Sequence, residues 1–477
     1  MNIRNWLVIS VFAFSSAHFV MAQGVDLSTG PDPKEIPVPE IVTPLGKMPG
    51  VNELPVRKEM PDIMTMNDGT KVTTPEQWAK RREEMKKILE YYAVGVAPPA
   101  PGNVKGKEIS SQLLADGKIK YRLIHLTFGP QESLSLDIGI FTPTTGGPFP
   151  AYIEPGGTPP GATPLPRLQQ GPNQGRGQDA LLVVGPGTQP ASAPAVATGG
   201  NTSATQPGRR GGFIGRGGRG PDAIATSNPA LLHGFAYVMF NSNDCAEDTT
   251  LREMDGSFSF RKTRFFPAYP GYDWGVLRGW AWGVSRIVDY LEIDPAIDKS
   301  KLIITGVSRE GKSALIAGAF DDRISMVAPV ASSGGGTPAY RFSGQGRGGN
   351  EGLSEMVRKY PNWFSPHLHE FWAHQDQLPF DEHWLIALCA PRPFIALEGT
   401  QDTNVQAYGV RQSMIHAQPV YDFLKVPDRL GINWTERPHG IRPGDWNALF
   451  GFADKHLLRE KVEMKFDQYP EKAFVVP

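Results

Sequence analysis

Through its middle and C-terminal parts the chain alternates short apolar runs with longer stretches of helical spacing. Residues 235–241, 302–305, 326–330 and 394–398 are brief and almost wholly apolar, as expected of strands buried on both faces. Between them, residues 274–291 and 312–320 have helical composition, another helix closes at 385–388, and a last one is predicted around 448–458. Ahead of this array, residues 75–94 start with Pro75 and set Trp78, Met85, Ile88, Leu89 and Tyr92 on one face of an amphipathic helix. Residues 119–128 and 134–141 read as antiparallel strands, and 150–154 as the first central strand. Strands alternating with helices predict an α/β fold whose mostly parallel central sheet is covered by helices on both faces. A single domain over residues 75–477 is expected.

Three stretches break the pattern. Residues 23–74 are Pro-rich and mix acids with bases without clear period, which predicts an extended arm lying on the domain. Residues 156–222 are dominated by Gly, Pro, Gln, Ala and Arg, and such a run buries too little apolar surface to offset chain entropy. A disordered insertion in one loop is expected there. Residues 1–22 join a basic start at Arg4 to an apolar core, with Val20 and Ala22 at the small positions before Gln23. That is the pattern of a secretory signal peptide, and it predicts a secreted or periplasmic protein without a membrane span.

Composition narrows the partners. With 48 Lys and Arg against 49 Asp and Glu, the formal net charge is −1, which argues against a nucleic-acid surface. The Arg- and Gly-rich tract "PGRRGGFIGRGGRGP" is of a kind that binds nucleic acid, but export makes a surface tether the better reading. Two cysteines cannot build a disulfide framework, so stability must come from the core. Cys245 follows a strand and Cys389 precedes one, which puts them at opposite ends of a parallel sheet and predicts no bond between them.

The chemistry gathers around "KLIITGVSREGKSALIAG", residues 301–318. Ser308 stands where a buried strand turns sharply into a helix, with Gly306 before it and Gly311 after it. Such a turn lifts the hydroxyl above the sheet edge and aims the N–H groups of the helix start at it. This is the nucleophile elbow of an α/β-hydrolase, although Glu310 takes the usual downstream glycine position. The alternative is an ordinary βα turn with a helix-capping serine.

A serine nucleophile needs a base and an orienting carboxylate, which in this fold follow in the order Ser, acid, His. Asp402 suits the acid slot in "FIALEGTQDTN", with Glu398 as competitor. His439 suits the base slot in "WTERPHGIRPGDW", with His383, His416 and His456 as rivals. Zinc is disfavoured, because "HLHEFWAH" lacks the H-E-x-x-H spacing that puts two ligands on one helical face. No cofactor is expected.

The sequence "GVSREGK" resembles the G-C-S-R-N-G-K of the glucuronoyl esterases, carbohydrate esterase family fifteen, and accounts for the glycine three places after Ser308. "GWAWGVSRIVDYLE", "LPFDEHWLIALCAPRP" and the stretch near "HGIRPGDW" support the resemblance, which runs from the helix at Pro75 onward and excludes the insertion. It implies cleavage of esters between 4-O-methyl-glucuronic acid on xylan and lignin alcohols. Ser308 would attack the uronoyl carbonyl, His439 would shuttle the proton, and Arg309 would hold the oxyanion through its N–H and guanidinium. Lys312 would contact sugar hydroxyls, and Glu351 corresponds to a sugar-binding glutamate.

Two departures stand out. Ala331 occupies the place of the glutamate that many members use as catalytic acid, so the acid must come from the later loop, where Asp402 lies. Asn404 replaces a family tryptophan. An acetylxylan esterase or related carbohydrate deacetylase using the same triad is therefore the competing enzyme. A peptidase is disfavoured because no propeller or second domain gates access. A catalytically inactive carbohydrate-binding protein is the reading from another class, against which the set Ser308, Arg309, Lys312, Asp402 and His439 argues. A glucuronoxylan or lignin–carbohydrate ester is the expected substrate, and a monomer the expected state.

Overall fold

The computed structural model describes residues 45–155, 157–168, 220–344 and 351–476. The segments predicted as signal peptide and most of the insertion lie outside the described residues. The strands are β1 (Lys105–Leu114), β2 (Ile119–Phe128), β3 (Leu134–Pro143), β4 (Phe149–Pro155), β5 (Ala236–Phe240), β6 (Ile297–Val307), β7 (Met326–Val330), β8 (Phe394–Gly399) and β9 (Leu430–Thr435). The α-helices are α1 (Pro75–Leu89), α2 (Pro221–Ser227), α3 (Pro229–Leu232), α4 (Val276–Leu291), α5 (Arg309–Phe320), α6 (Leu353–Lys359), α7 (His383–Cys389), α8 (Ala407–Phe423) and α9 (Pro443–Ala453).

One sheet runs in the order β1-β2-β3-β5-β4-β6-β7-β8-β9, antiparallel from β1 to β5 and parallel from β5 onward. Side chains alternate across it. Leu302 and Ile304 of β6 and Phe394 and Ala396 of β8 face the apolar layer that holds α4, α5, α7 and α8. Ile303, Val307, Ile395 and Leu397 face the other layer, with Leu231 of α3 and Leu449 and Phe452 of α9. The expected α/β-hydrolase architecture is present, with helices on both faces of a mostly parallel sheet.

Several boundaries differ from expectation, each for a local reason. The first amphipathic helix passes into a π-helical turn at Glu90–Val94, where Tyr91, Tyr92 and Val94 are buried all round. The last helix begins at Pro443, where proline at the first turn and Asp445 three residues into it mark a helix start that lies upstream of the apolar run. β1 was not anticipated: it is an edge strand with every residue but Leu114 exposed, so no alternation betrays it. Residues at both ends of the predicted insertion make defined contacts with the domain. Tyr121 donates its hydroxyl to Pro160 O at 2.6 Å, Arg264 donates to Pro166 O at 2.5 Å, and Leu168 N–H reaches Glu247 at 2.6 Å. At the far end, Pro221 and Asp222 already belong to α2.

Residues 45–74 pack on the domain. Pro61 O accepts from His383 Nε2 at 2.8 Å and Trp384 Nε1 at 3.3 Å, and Arg57 O accepts from Arg341 Nε at 3.2 Å. Cys245 and Cys389 are buried and free. Among the described residues no helix is long and apolar enough to cross a membrane.

Candidate active site

Parallel pairing delivers the chemistry to one sheet edge. Val307 is in register with Val330, Val330 with Leu397, and Gly399 with Thr435. The segments that leave β6, β7, β8 and β9 carry Ser308, Ala331 to Ser333, Asp402 and His439 respectively, so residues far apart in sequence emerge side by side.

Ser308 caps α5 with φ +63° and ψ −124°, a backbone strained for any side chain but glycine. Its N–H donates to Val330 O at 2.8 Å, and its carbonyl accepts from Lys312 N–H at 3.1 Å. The flanking glycines are demanded by space. A Cβ on Gly306 would lie 2.4 Å from Glu310 O, and one on Gly311 would lie 2.9 Å from both Gly306 O and Val330 O. The crowded position is thus three residues after the serine, which explains how Glu310 is tolerated two residues after it.

His439 Nδ1 lies 2.8 Å from Asp402 Oδ2. The Asp402 side chain is fully buried, and its Oδ1 accepts the N–H of Asn404 at 2.9 Å. Glu398 takes a different partner, accepting from Thr337 Oγ1 at 2.5 Å. Burial pushes its carboxyl up to about 8, against the opposing hydrogen bond from Thr337. The rival histidines also point elsewhere: His383 Nε2 meets Pro61 O, and His416 Nδ1 meets Gln412 O at 2.9 Å. Burial lowers the imidazoles of His383 and His456 to about 4.

Lys312 is buried, its Nζ donating to Ser332 O at 2.5 Å, Ser333 Oγ at 2.8 Å and Glu351 Oε2 at 3.3 Å. Burial pulls the ammonium below the usual lysine range, against the pull of Glu351. Burial works to raise Glu351, yet Lys312, the Ser333 hydroxyl and the nearby His439 together hold its carboxyl below the ordinary range. The Glu351 N–H meets Asn404 O at 3.3 Å, so the lysine pair and the Asp402 loop form one constellation.

Arg309 is held by partners that its sequence neighbourhood does not disclose. Its guanidinium donates to Asp248 and lies 4.9 Å from the Trp363 ring centre and 5.5 Å from that of Tyr360. Tyr360 and Trp363 are themselves stacked, 3.9 Å between ring centres. Asp248 also accepts from Trp363 Nε1 at 2.7 Å and Asn362 Nδ2 at 3.0 Å. Asp248, Tyr360 and Trp363 escaped the sequence reading. The available signal was the run of three aromatic residues in "YPNWF".

The histidines of "HLHEFWAH" diverge, since His367 Nδ1 meets Glu370 at 3.2 Å whereas buried His369 turns to Pro361 O at 3.0 Å. Among the described residues no group of three or more His, Cys, Asp or Glu is placed to hold a metal ion.

A family model described as "Glucuronyl esterase, fungi" matches residues 217–425. The chain is 29% identical over 419 residues to the 4-O-methyl-glucuronoyl methylesterase of Podospora anserina, covering 85% of this chain and 69% of that one. It is similar in structure to a carbohydrate esterase family 15 glucuronoyl esterase from Caldicellulosiruptor kristjansonii, with TM-score 0.63, 28% identity, and coverage of 88% and 95% of the two chains. The catalytic domain of the Hypocrea jecorina glucuronoyl esterase shares the fold at TM-score 0.60 and 24% identity, covering 87% of this chain and 93% of that one. With the strained turn at Ser308 on the same fold, these likenesses make the chain a carboxylic ester hydrolase similar to the glucuronoyl esterases.

Proposed function

We propose that the protein cleaves 4-O-methyl-glucuronoyl esters joining xylan to lignin alcohols through an acyl-enzyme on Ser308. The observation that carries this reading is the 2.8 Å contact between His439 Nδ1 and Asp402 Oδ2 at the sheet edge where Ser308 is held on its strained turn. With Asp402 fixing Nδ1, the Nε2 of His439 is the nitrogen left to take the serine proton and return it to the leaving alcohol. Oxygen of Ser308 bonds to the uronoyl carbon, the C–O bond to the alcohol breaks, and water reverses the sequence to free the uronic acid.

Arg309 is the cation assigned to the oxyanion, its guanidinium held by Asp248 and backed by Trp363. Such preorganised charge is worth on the order of a hundredfold in rate. Lys312 and Glu351 are the groups assigned to sugar hydroxyls, one presenting donors and the other acceptors. The form of residues 1–22, which is that of a secretory leader, supports the same reading.

The test compares hydrolysis of benzyl glucuronate and of acetylated xylan by the parent and by Ser308→Ala, His439→Ala and Asp402→Asn. Uronate ester cleavage should dominate, and the serine and histidine changes should each remove about a thousandfold or more of kcat. Dominant acetate release would transfer the assignment to an acetylxylan esterase. Near-full activity in Asp402→Asn would remove Asp402 from the triad.

A further inference from the structure

Two residues before His439 lies an arginine that the reaction as described does not use. The side chains of Arg437 and Asp445 are 1% and 0% exposed, and Arg437 Nε donates to Asp445 Oδ2 at 2.6 Å. The same carboxylate oxygen accepts the N–H of Arg442 at 2.8 Å, so Asp445 ties the start of α9 to the segment that carries His439. From this anchor the guanidinium reaches across to the neighbouring strand. Its Nη2 donates to Leu397 O of β8 at 3.1 Å, and its Nη1 to Pro438 O at 3.2 Å. The backbone makes the reverse connection, with Gln401 N–H donating to Arg437 O at 3.0 Å.

We propose that Arg437 is a positioning residue for the hydrolytic step, locking the loop that carries His439 in register with the loop that carries Asp402. The proposal rests on the Ser308–His439–Asp402 reading given above. Gln401 is the residue before Asp402 and Pro438 the residue before His439, so the Arg437 contacts are made one peptide away from each partner of the 2.8 Å pair. The fit leaves no slack at Gly399, where a Cβ would lie 2.6 Å from Arg437 O and 2.8 Å from its Nη1.

A buried ion pair is not a natural stability device, because desolvation of both charges offsets their attraction. Among the described residues Asp445 Oδ1 meets no hydrogen-bond donor. What only an arginine supplies is a planar fork that meets Asp445, Leu397 O and Pro438 O at once. A lysine concentrates its three donors on one nitrogen and lacks the span of the fork that reaches Asp445, Leu397 O and Pro438 O from separate nitrogens.

The experiment measures kcat, KM and melting temperature on benzyl glucuronate for R437K and for R437M/D445L, which removes both charges and leaves neither stranded. Each is made in the parent and in the D402N background. R437K is expected to fold, to lose about tenfold or more in kcat with KM changed less than about threefold, and to lose less than about twofold when added to D402N. R437M/D445L should behave in the same way. A folded R437K with kcat within about twofold of the parent overturns the proposal. So does a loss confined to KM, or an equal loss in both backgrounds, since a merely structural role acts independently of Asp402. If R437M/D445L does not fold, R437K decides. If neither folds, Arg437 is a determinant of the fold and the proposal is overturned. Failure of the triad reading shows separately, as full activity in D402N with Arg437 intact.

Discussion

Glu398 in β8 and Asp402 in the loop that follows lie four residues apart and meet opposite surroundings. Asp402 is met by an N–H and an imidazole, whereas Glu398 lies in the sheet itself with Thr337 as its hydrogen-bond donor. Burial raises the Glu398 carboxyl to about 8, well above the range of an unfolded chain. A raised pKa contributes stability that is fully present below the unfolded value and is lost as pH rises toward about 8, at up to about 1.4 kcal/mol per pH unit. Glu398→Gln copies the neutral form, so its melting temperature should vary less between pH 5 and pH 8 than that of the parent. Its kcat should stay within about threefold of the parent, whereas Asp402→Asn should lose about a hundredfold or more. A Glu398→Gln variant as impaired as Asp402→Asn would exchange the two roles. Both residues are acids in one apolar-to-polar stretch, and only their neighbours in space tell them apart.

At the scale of elements, the turn between β6 and α5 is the most constrained piece of backbone near the site. Gly306→Ala would force a methyl to 2.4 Å from Glu310 O, a contact that must displace either the strand end or the first turn of α5. A loss of about 3 kcal/mol or more is expected, read from urea unfolding, together with loss of serine labelling by a phosphonate. Wild-type stability in that variant would mean that the turn relaxes. The segment 45–74 works differently, by satisfying polar groups of the domain. Cutting the chain after Met66 would remove Pro61 O from His383 and Trp384 and Arg57 O from Arg341, all three of them buried side chains. Each stranded group costs about 1–3 kcal/mol, so melting should fall by several degrees. An unchanged melting temperature would show that the segment is dispensable. The strong period of α4 and the apolar runs of β7 and β8 were legible because they are buried on a regular lattice. β1 was not, because an exposed edge strand needs no apolar face.

Across the whole molecule, stability should be squeezed from the acid side as well. Burial holds His369, His383 and His456 at about 4, below the ordinary imidazole value. A depressed pKa contributes stability that is present above the unfolded value near 6.5 and is lost as pH falls toward about 4. The melting temperature should therefore drop steeply below pH 6.5, and His383→Gln should soften that drop relative to its own value at pH 7. A profile unchanged by the substitution would show that His383 does not contribute to the acid limb. Activity and stability need not share this profile, since the acid limb of stability comes from packing histidines remote in sequence from His439.

The chain by itself declared its class, a candidate nucleophile and the order in which its proposed partners follow. Alternating apolar strands and helices can bury their faces in few ways, and a serine between two glycines on such a turn has few uses. Tertiary structure alone decided which acid faces His439, that Asp248 and Trp363 hold Arg309, and that Arg437 ties the two loops together. Those contacts join residues from different strand ends, and parallel pairing sets their distances through register that no local stretch encodes.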